Sequence, residues 1–132
     1  MTDEQLELAR RFALALDNED YDAARALLDD ACEYTIRVDA HHGADSIIAS
    51  YRAAGEAARA FDEVAYDNEV REGPDGWTII RFSDDLRHAG RSHRYQCEQW
   101  VRIAGARITR IDHREMPGER ERLEAFKRDV LG

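Results

Sequence analysis

Histidines, carboxylates and tyrosines recur at alternating positions in the second half of the chain, and these are the side-chain types that move protons near neutral pH. Residues 92–116, SHRYQCEQWVRIAGARITRIDHREM, form two runs joined at Ala104-Gly105-Ala106. Successive strand side chains point to opposite sides, so His93, Tyr95, Cys97, Gln99, Val101 and Ile103 share one face, and Arg94, Gln96, Glu98, Trp100 and Arg102 take the other. In the second run Thr109, Ile111, His113 and Glu115 alternate with Ile108, Arg110, Asp112 and Arg114. The same register carried back one strand adds Ile80, Phe82, Asp84, Leu86 and His88. Apolar groups mixed with a few titratable ones are what a pocket wall requires.

An imidazole beside a carboxylate can be held in one tautomer as a general base or acid. His113 with Asp84 or Glu115 is the first candidate pair, and His88 is the second candidate imidazole. Tyr95, with Tyr34 and Tyr51, supplies phenolic donors for a carbonyl. Phe12, Tyr34, Phe82, Cys97, Gln99, Val101, Ile111 and Glu115 are the expected ligand wall, with Val101 and Ile111 sharing a cavity with Phe12. The structural alternative is that each histidine is a satisfied core residue or a strand-end residue in water, and that Tyr51 only fills the core. Cys97 sits mid-strand with nothing nearby to lower its pKa, which argues against a nucleophile. His41 and His42 are adjacent, point apart and lack spaced partners, so neither a metal site nor another cofactor is expected.

The elements that must position these groups are legible from spacing. Residues 3–17 carry Leu6, Leu8, Ala9, Phe12, Ala13 and Leu16 at helical period, with Thr2 and Gln5 forming a capping box. A short helix follows through Tyr21, Ala24, Leu27 and Leu28. Residues 32–38 alternate as a first strand, with Cys32, Tyr34, Ile36 and Val38 on one side. Residues 39–43 read as a loop, and 44–60 as an Ala-rich helix with Ile47, Ile48, Tyr51 and Ala54 on one stripe and Asp45 as its cap. Strands are expected over 61–72 and 77–88, separated by Gly73-Pro74-Asp75-Gly76, then the hairpin of 92–116. After Pro117-Gly118 the final ERERLEAFKRDVLG is helical, with Leu123, Phe126 and Val130 inward and Glu124 paired to Arg128. The class is α+β: one domain over residues 1–132, with a curved antiparallel sheet wrapped around helices.

Composition narrows the function. The chain has 132 residues, 43% hydrophobic, enough for a core without metal or disulfide help. Acidic residues outnumber basic ones 28 to 19, a net charge of −9, which disfavours nucleic acid or an anionic membrane as partner. Two distant cysteines, Cys32 and Cys97, suggest free buried thiols in a reducing cytoplasm. No apolar run approaches the length of a bilayer span.

The order of elements, with RFALALDNEDYDAARALLDDACEY near the start, GADSIIASY after the first strand and AGARITRID near the end, resembles the nuclear transport factor 2-like superfamily and its SnoaL-like members. The resemblance implies a cone-shaped, cystatin-like fold around an apolar pocket, and a homodimer through the outer sheet face. The superfamily includes ketosteroid isomerase, scytalone dehydratase, limonene epoxide hydrolase, polyketide cyclases and non-catalytic members. Matched to ketosteroid isomerase, Phe12 stands for its tyrosine, Gln99 for its protonated aspartic acid and Thr35 for its general-base aspartate. All three depart, which argues against that mechanism. The resemblance thus implies a small apolar or aromatic ligand. Its chemistry is either cofactor-free isomerisation, cyclisation, dehydration or hydrolysis by proton transfer, or none, in a binding or dimerisation module. Trp100, on the face opposite the pocket, is the expected dimer contact.

Overall fold

The structure, a computed structural model, describes residues 3–132. Helix α1 (Asp3–Asp17) buries Leu8, Ala9, Phe12 and Ala13 on one stripe, and places Asp3 and Glu4 at its electropositive start. The proposed capping residue Thr2 lies outside the described residues. Helix α2 (Tyr21–Ala26) is capped by Asp20, whose side chain accepts from the Ala23 N–H at 3.2 Å. It stops short of Leu28, which begins strand β1 (Leu28–Ile36). Arg37 adopts φ +52°, the chain turns, and strand β2 (Asp39–His42) runs back along β1 where a loop was expected. Val38 therefore does not join Tyr34 on the inner face and is 98% exposed. Helix α3 (Ala44–Ala58) follows Gly43, which holds φ +89°; Asp45 lies inside the first turn and pairs with Arg25 at 2.5 Å, so it is not the cap.

Strands β3 (Glu63–Glu72), β4 (Thr78–His88), β5 (Arg91–Ala104) and β6 (Arg107–Glu115) complete one six-stranded sheet in the order β2-β1-β6-β5-β4-β3. The sheet is antiparallel except for the β1–β6 pair, which is parallel. Its inner face packs on α1 and α3. Phe12, Ile47, Ile80, Val101, Ile108 and Ile111 have no exposed surface and fill the narrow end as one core with Tyr34. Helix α4 (Glu119–Leu131) covers the opposite, wide end through a separate cluster of Phe61, Leu86 and Phe126, with Leu123 and Val130 beside it. Its surface pair is Glu124 with Lys127 at 3.7 Å, one residue away from the expected Arg128 partner. Among the described residues, no helix is long and apolar enough to cross a membrane.

Two local details correct the sequence reading. Between β5 and β6 the register shifts, so that Arg102 faces Arg110 while Ile103 faces Ile108, leaving Thr109 as the extra residue of a β-bulge. The bulge reverses the alternation: Ile108, expected on the outer face, is fully buried, and Thr109 turns its hydroxyl toward the Arg102 carbonyl at 3.4 Å. On the outer face Trp100 is half-buried. The Arg114 guanidinium lies 4.2 Å above its ring, Trp77 meets it edge-on at 6.1 Å, and Arg102 covers Trp77 at 4.0 Å. Cation–π stacking therefore already shields, within the chain, the ring that was expected to be covered by a dimer partner.

The bulge makes a prediction about stability. Ile108→Ala should cost about 2–4 kcal/mol because it opens a cavity in a filled core, whereas Thr109→Ala should cost less than about 1 kcal/mol. Urea unfolding of both variants checks this, and the reverse ranking would contradict the register.

Candidate functional site

The inner face of the sheet divides into two polar groups separated by the apolar Phe82 and Ile80. At the wide end Tyr66 of β3, Asp84 of β4 and Tyr95 of β5 stand abreast as cross-strand partners. Asp17, at the end of α1, approaches from above and accepts from the Asn68 side-chain amide at 2.7 Å. Nearer the core, Gln99 of β5 faces His113 of β6 and reaches Tyr34 of β1 and Tyr51 of α3.

Asp84 is mostly enclosed, and among the described residues no cation pairs with it. Burial, with the negative charges of Asp17, Asp85 and Asp67 behind it, pushes its carboxyl up to about 7. Two of the neighbouring acids, unlike Asp84, have a cationic partner. Asp85 and Asp67 both bind Arg94, at 2.8 and 3.1 Å. Tyr66 is pushed up to about 12 by burial and by Asp84 and Glu19, and Tyr95 is raised by burial, so both phenols keep their protons at neutral pH. The wide end thus holds a carboxyl raised toward neutral pH, with a tyrosine as its cross-strand partner on either side.

A cavity of about 290 Å³ opens at this end, walled by Phe61, Val64 and Tyr66 with Gly55 and Ala58 of α3. The Glu19–Arg59 ion pair, 3.1 Å, sits at its rim. At Gly55 a Cβ would lie 2.7 Å from the Tyr21 hydroxyl, so a larger residue there would have to displace the Tyr21 side chain. A second depression of about 360 Å³ is lined by residues of α2 and α3, among them Arg25, Asp45, Ile48 and Arg52.

The second group is a hydrogen-bonded hub. The Tyr51 hydroxyl donates to Gln99 Oε1 at 2.5 Å, and Gln99 Nε2 donates to the Tyr34 hydroxyl at 3.0 Å and faces His113 Nδ1 at 3.4 Å. The two tyrosine rings stack at 5.3 Å, and Phe12 meets Tyr51 edge-on at 5.9 Å. Gln99 is only 4% exposed. Burial holds His113 below the usual imidazole range, opposed by Glu115. His113 Nε2 is buried without a partner.

The expected site residues are therefore not all brought together. Asp84 and Tyr95 are direct cross-strand neighbours, and Phe82 pairs with Cys97 one step further in. His113 does not meet Asp84: two strands and four residues separate them, on the order of 15 Å along the sheet. Glu115 is drawn to Arg37 at 2.8 Å, so the imidazole has Gln99 rather than a carboxylate as its neighbour. His88 stands at the far end of β4, where its Nδ1 accepts from the Asp62 N–H at 3.2 Å and its ring meets Phe61 edge-on. His93 stacks on Phe126 under α4 at 5.3 Å. Burial pushes the Cys97 thiol up to about 12, which rules out a resting thiolate at neutral pH. Phe12, Val101 and Ile111 share one filled core. His41 and His42 diverge on β2, one against the Tyr34 ring and the other 3.5 Å from Glu33.

Sequence reasoning missed Tyr66, Asn68 and Asp17. The signal for the first two was present: Val64, Tyr66, Asn68 and Val70 alternate on the strand that must pair with Asp84's strand. Asp17 had no such signal, because only the packing of α1 carries its last residue over the sheet.

Comparison with known proteins supports the fold. No protein-family model matches the chain, and no curated protein matches it. Among solved structures it is similar to an NTF2-like protein of unknown function from Burkholderia pseudomallei, with TM-score 0.71, 17% identity, and 92% of this chain and 98% of that one covered. It is also similar to an LEH-like epoxide hydrolase of M. tuberculosis, with TM-score 0.66, 18% identity and coverage of 92% and 84%. TerC co-crystallised with polyporic acid gives TM-score 0.69 at 9% identity, covering 98% and 99%. Six strands curved over helices in this arrangement are the α+β, cystatin-like fold of the NTF2-like and SnoaL-like proteins, and that is the fold of this chain.

Proposed function

We propose that residues 1–132 act as one SnoaL-like domain that binds a small apolar or aromatic molecule at the wide end of the inner face and transfers a proton on it without a cofactor. Asp84 is the general base in this reading, and Tyr95 and Tyr66 are the hydrogen-bond donors beside it. The observation that carries it is the state of Asp84, a carboxyl enclosed between two phenols, without a cationic partner, and held near pH 7. Keeping a carboxyl in that state destabilises the fold, and such groups concentrate where they do chemistry. Phe82 and Cys97 pair next to this row, and the proposed way in is the cavity beside Tyr66, whose walls do not themselves include Asp84 or Tyr95. Isomerisation, cyclisation, dehydration and hydrolysis all need such a base, and fold similarity alone does not choose among them.

Binding without turnover is the second reading, favoured by His113, which lies within reach of no carboxylate and so lacks the partner a catalytic imidazole requires. The outer face, with its Trp77, Trp100, Arg102 and Arg114 stack, is the proposed homodimer contact. Two buried free thiols, Cys32 and Cys97, suit the reducing cytoplasm in which we place the protein.

Polyporic acid, bound by TerC, and limonene epoxide, suggested by the LEH-like relative, are the first probes. Thermal-shift and NMR titrations should place the bound molecule beside Asp84, Tyr66 and Tyr95. For any substrate so found, Asp84→Asn should lower turnover by roughly 10²–10⁴-fold, and the wild-type kcat/KM should rise as pH rises through about 7. A loss under about tenfold would leave only the binding reading.

The same carboxyl predicts a stability effect that needs no substrate. Because its folded pKa lies above the ordinary 3.8, ionising Asp84 costs the folded state increasingly as pH rises from about 4 to about 7. Asp84→Asn should therefore be more stable than wild type at pH 8, by on the order of 2–4 kcal/mol, with the gap closing toward pH 4. Unfolding curves at the two pH values measure it.

Light scattering at micromolar concentration tests the dimer. The expected mass is twice 15.2 kDa, and a constant 15.2 kDa would exclude it.

A further inference from the structure

The hydrogen-bond hub around Gln99 is larger than core packing requires. A primary amide can be placed in its site in either of two orientations, and the choice propagates to every neighbour. With Oε1 toward Tyr51, as the structure has it, the Tyr51 proton is used on the amide oxygen. The amide then offers N–H bonds to the Tyr34 oxygen and to His113 Nδ1. Nδ1 must be an acceptor, so a neutral His113 carries its proton on Nε2. In the reverse orientation Tyr34 and His113 Nδ1–H would both donate to the amide oxygen, and Nε2 would be a bare acceptor. The two arrangements differ in the polarity that His113 presents at its unpartnered, buried nitrogen.

We propose that Gln99 is a positioning residue that holds His113 neutral with its proton on Nε2, so that the inner face offers an N–H donor there to a ligand's acceptor oxygen, such as a carbonyl, and not a second base. This rests on the reading that the inner face binds a small molecule. It divides the labour between the two polar groups, with Asp84 exchanging the proton at the wide end and His113 recognising an oxygen deeper in. Tyr34 adds to the same polarity: its oxygen accepts from Gln99, which leaves its own hydroxyl proton to donate. Tyr51 favours this direction: its hydroxyl is enclosed and the amide oxygen takes its proton, whereas the reverse orientation would leave that proton without an acceptor among the described residues. Buried polar groups left without partners are costly, so the enclosed Nε2–H marks a place where a ligand or a water would gain a bond; neither of the two cavities is lined by His113, so that acceptor has to enter the hub itself.

The test uses the full chain labelled with ¹⁵N-histidine, in which protonated and unprotonated ring nitrogens are well separated by shift. Wild type at neutral pH should show His113 protonated on Nε2 alone. Gln99→Glu should place a carboxylate at Nδ1, draw a second proton there and raise the imidazole pKa by at least one unit. Tyr51→Phe removes the group that orients the amide, and should give a mixture of the two tautomers while keeping the fold, as judged by an unchanged set of backbone amide signals. Wild type protonated on Nδ1 would overturn the proposal, whether or not the Gln99 variant folds. A tautomer unmoved by both substitutions would overturn it as well. Because these arms need no ligand, their failure is separate from a failure of polyporic acid or limonene epoxide to bind, and addition of either probe should shift the Nε2 signal if it supplies the acceptor.

Discussion

One amide in an otherwise apolar core constrains much of this molecule. Gln99 is buried where water cannot replace a lost partner, and an unmade hydrogen bond there would cost on the order of 1–3 kcal/mol. Its partners come from β1, α3 and β6, so satisfying a single side chain ties together the parallel strand, the covering helix and the long hairpin. A one-residue slip of β5 would turn Gln99 outward and carry Trp100 into the core. The hub therefore acts as a register lock, and the apolar residues around it, Phe12, Ile80, Val101 and Ile111, fill the remaining space.

Charge is treated differently at the two ends of the inner face. Near the hub the polar groups are neutral, and burial keeps them so: Tyr34 and Tyr51 are raised, and His113 is lowered. At the wide end the sheet keeps Asp84 without a cation while its neighbours Asp67 and Asp85 share Arg94 on the outer face. Arginines elsewhere are consumed by the outer surface, where Arg71 and Arg81 converge on Glu98 at 2.9 and 3.1 Å and Arg102 and Arg114 lie on indole rings. The outer face thus takes several of the sheet's arginines while Arg37 serves Glu115 on the inner side, and Asp84, without a cation among the described residues, is the carboxyl whose protonation is most easily altered.

Helix α4 stands apart from the main core. Phe126 joins Phe61, Leu86 and the His93 ring in a small cluster of its own, and Glu119 accepts from the Gln96 backbone N–H at 2.9 Å. Small clusters of this kind open more readily than the main core. The helix therefore roofs the Asp84 end with fewer attachments than α1 or α3 have to the rest.

Local chemistry in the sequence determined the alternation of β4 and β5, because side-chain direction in a strand has period two. It also determined the alignment of Asp84 with Tyr95, because the short Ala89-Gly90 turn makes His88 and Arg91 opposite and counts every later pair. The long helices followed equally from their apolar stripes. Ile108's burial did not follow, since a bulge depends on the partner strand and not on the run that contains it. Nor did the strand over residues 39–42, which is a strand through its pairing with β1. The candidate site shows the same division. That His113, Asp84 and Glu115 lie on one face was legible; that His113 meets Gln99, Glu115 turns to Arg37, and Asp84 is left among acids was decided by tertiary structure. Which neighbour a titratable group acquires depends on distances between strands and helices remote in sequence, and those distances are set only when the core closes.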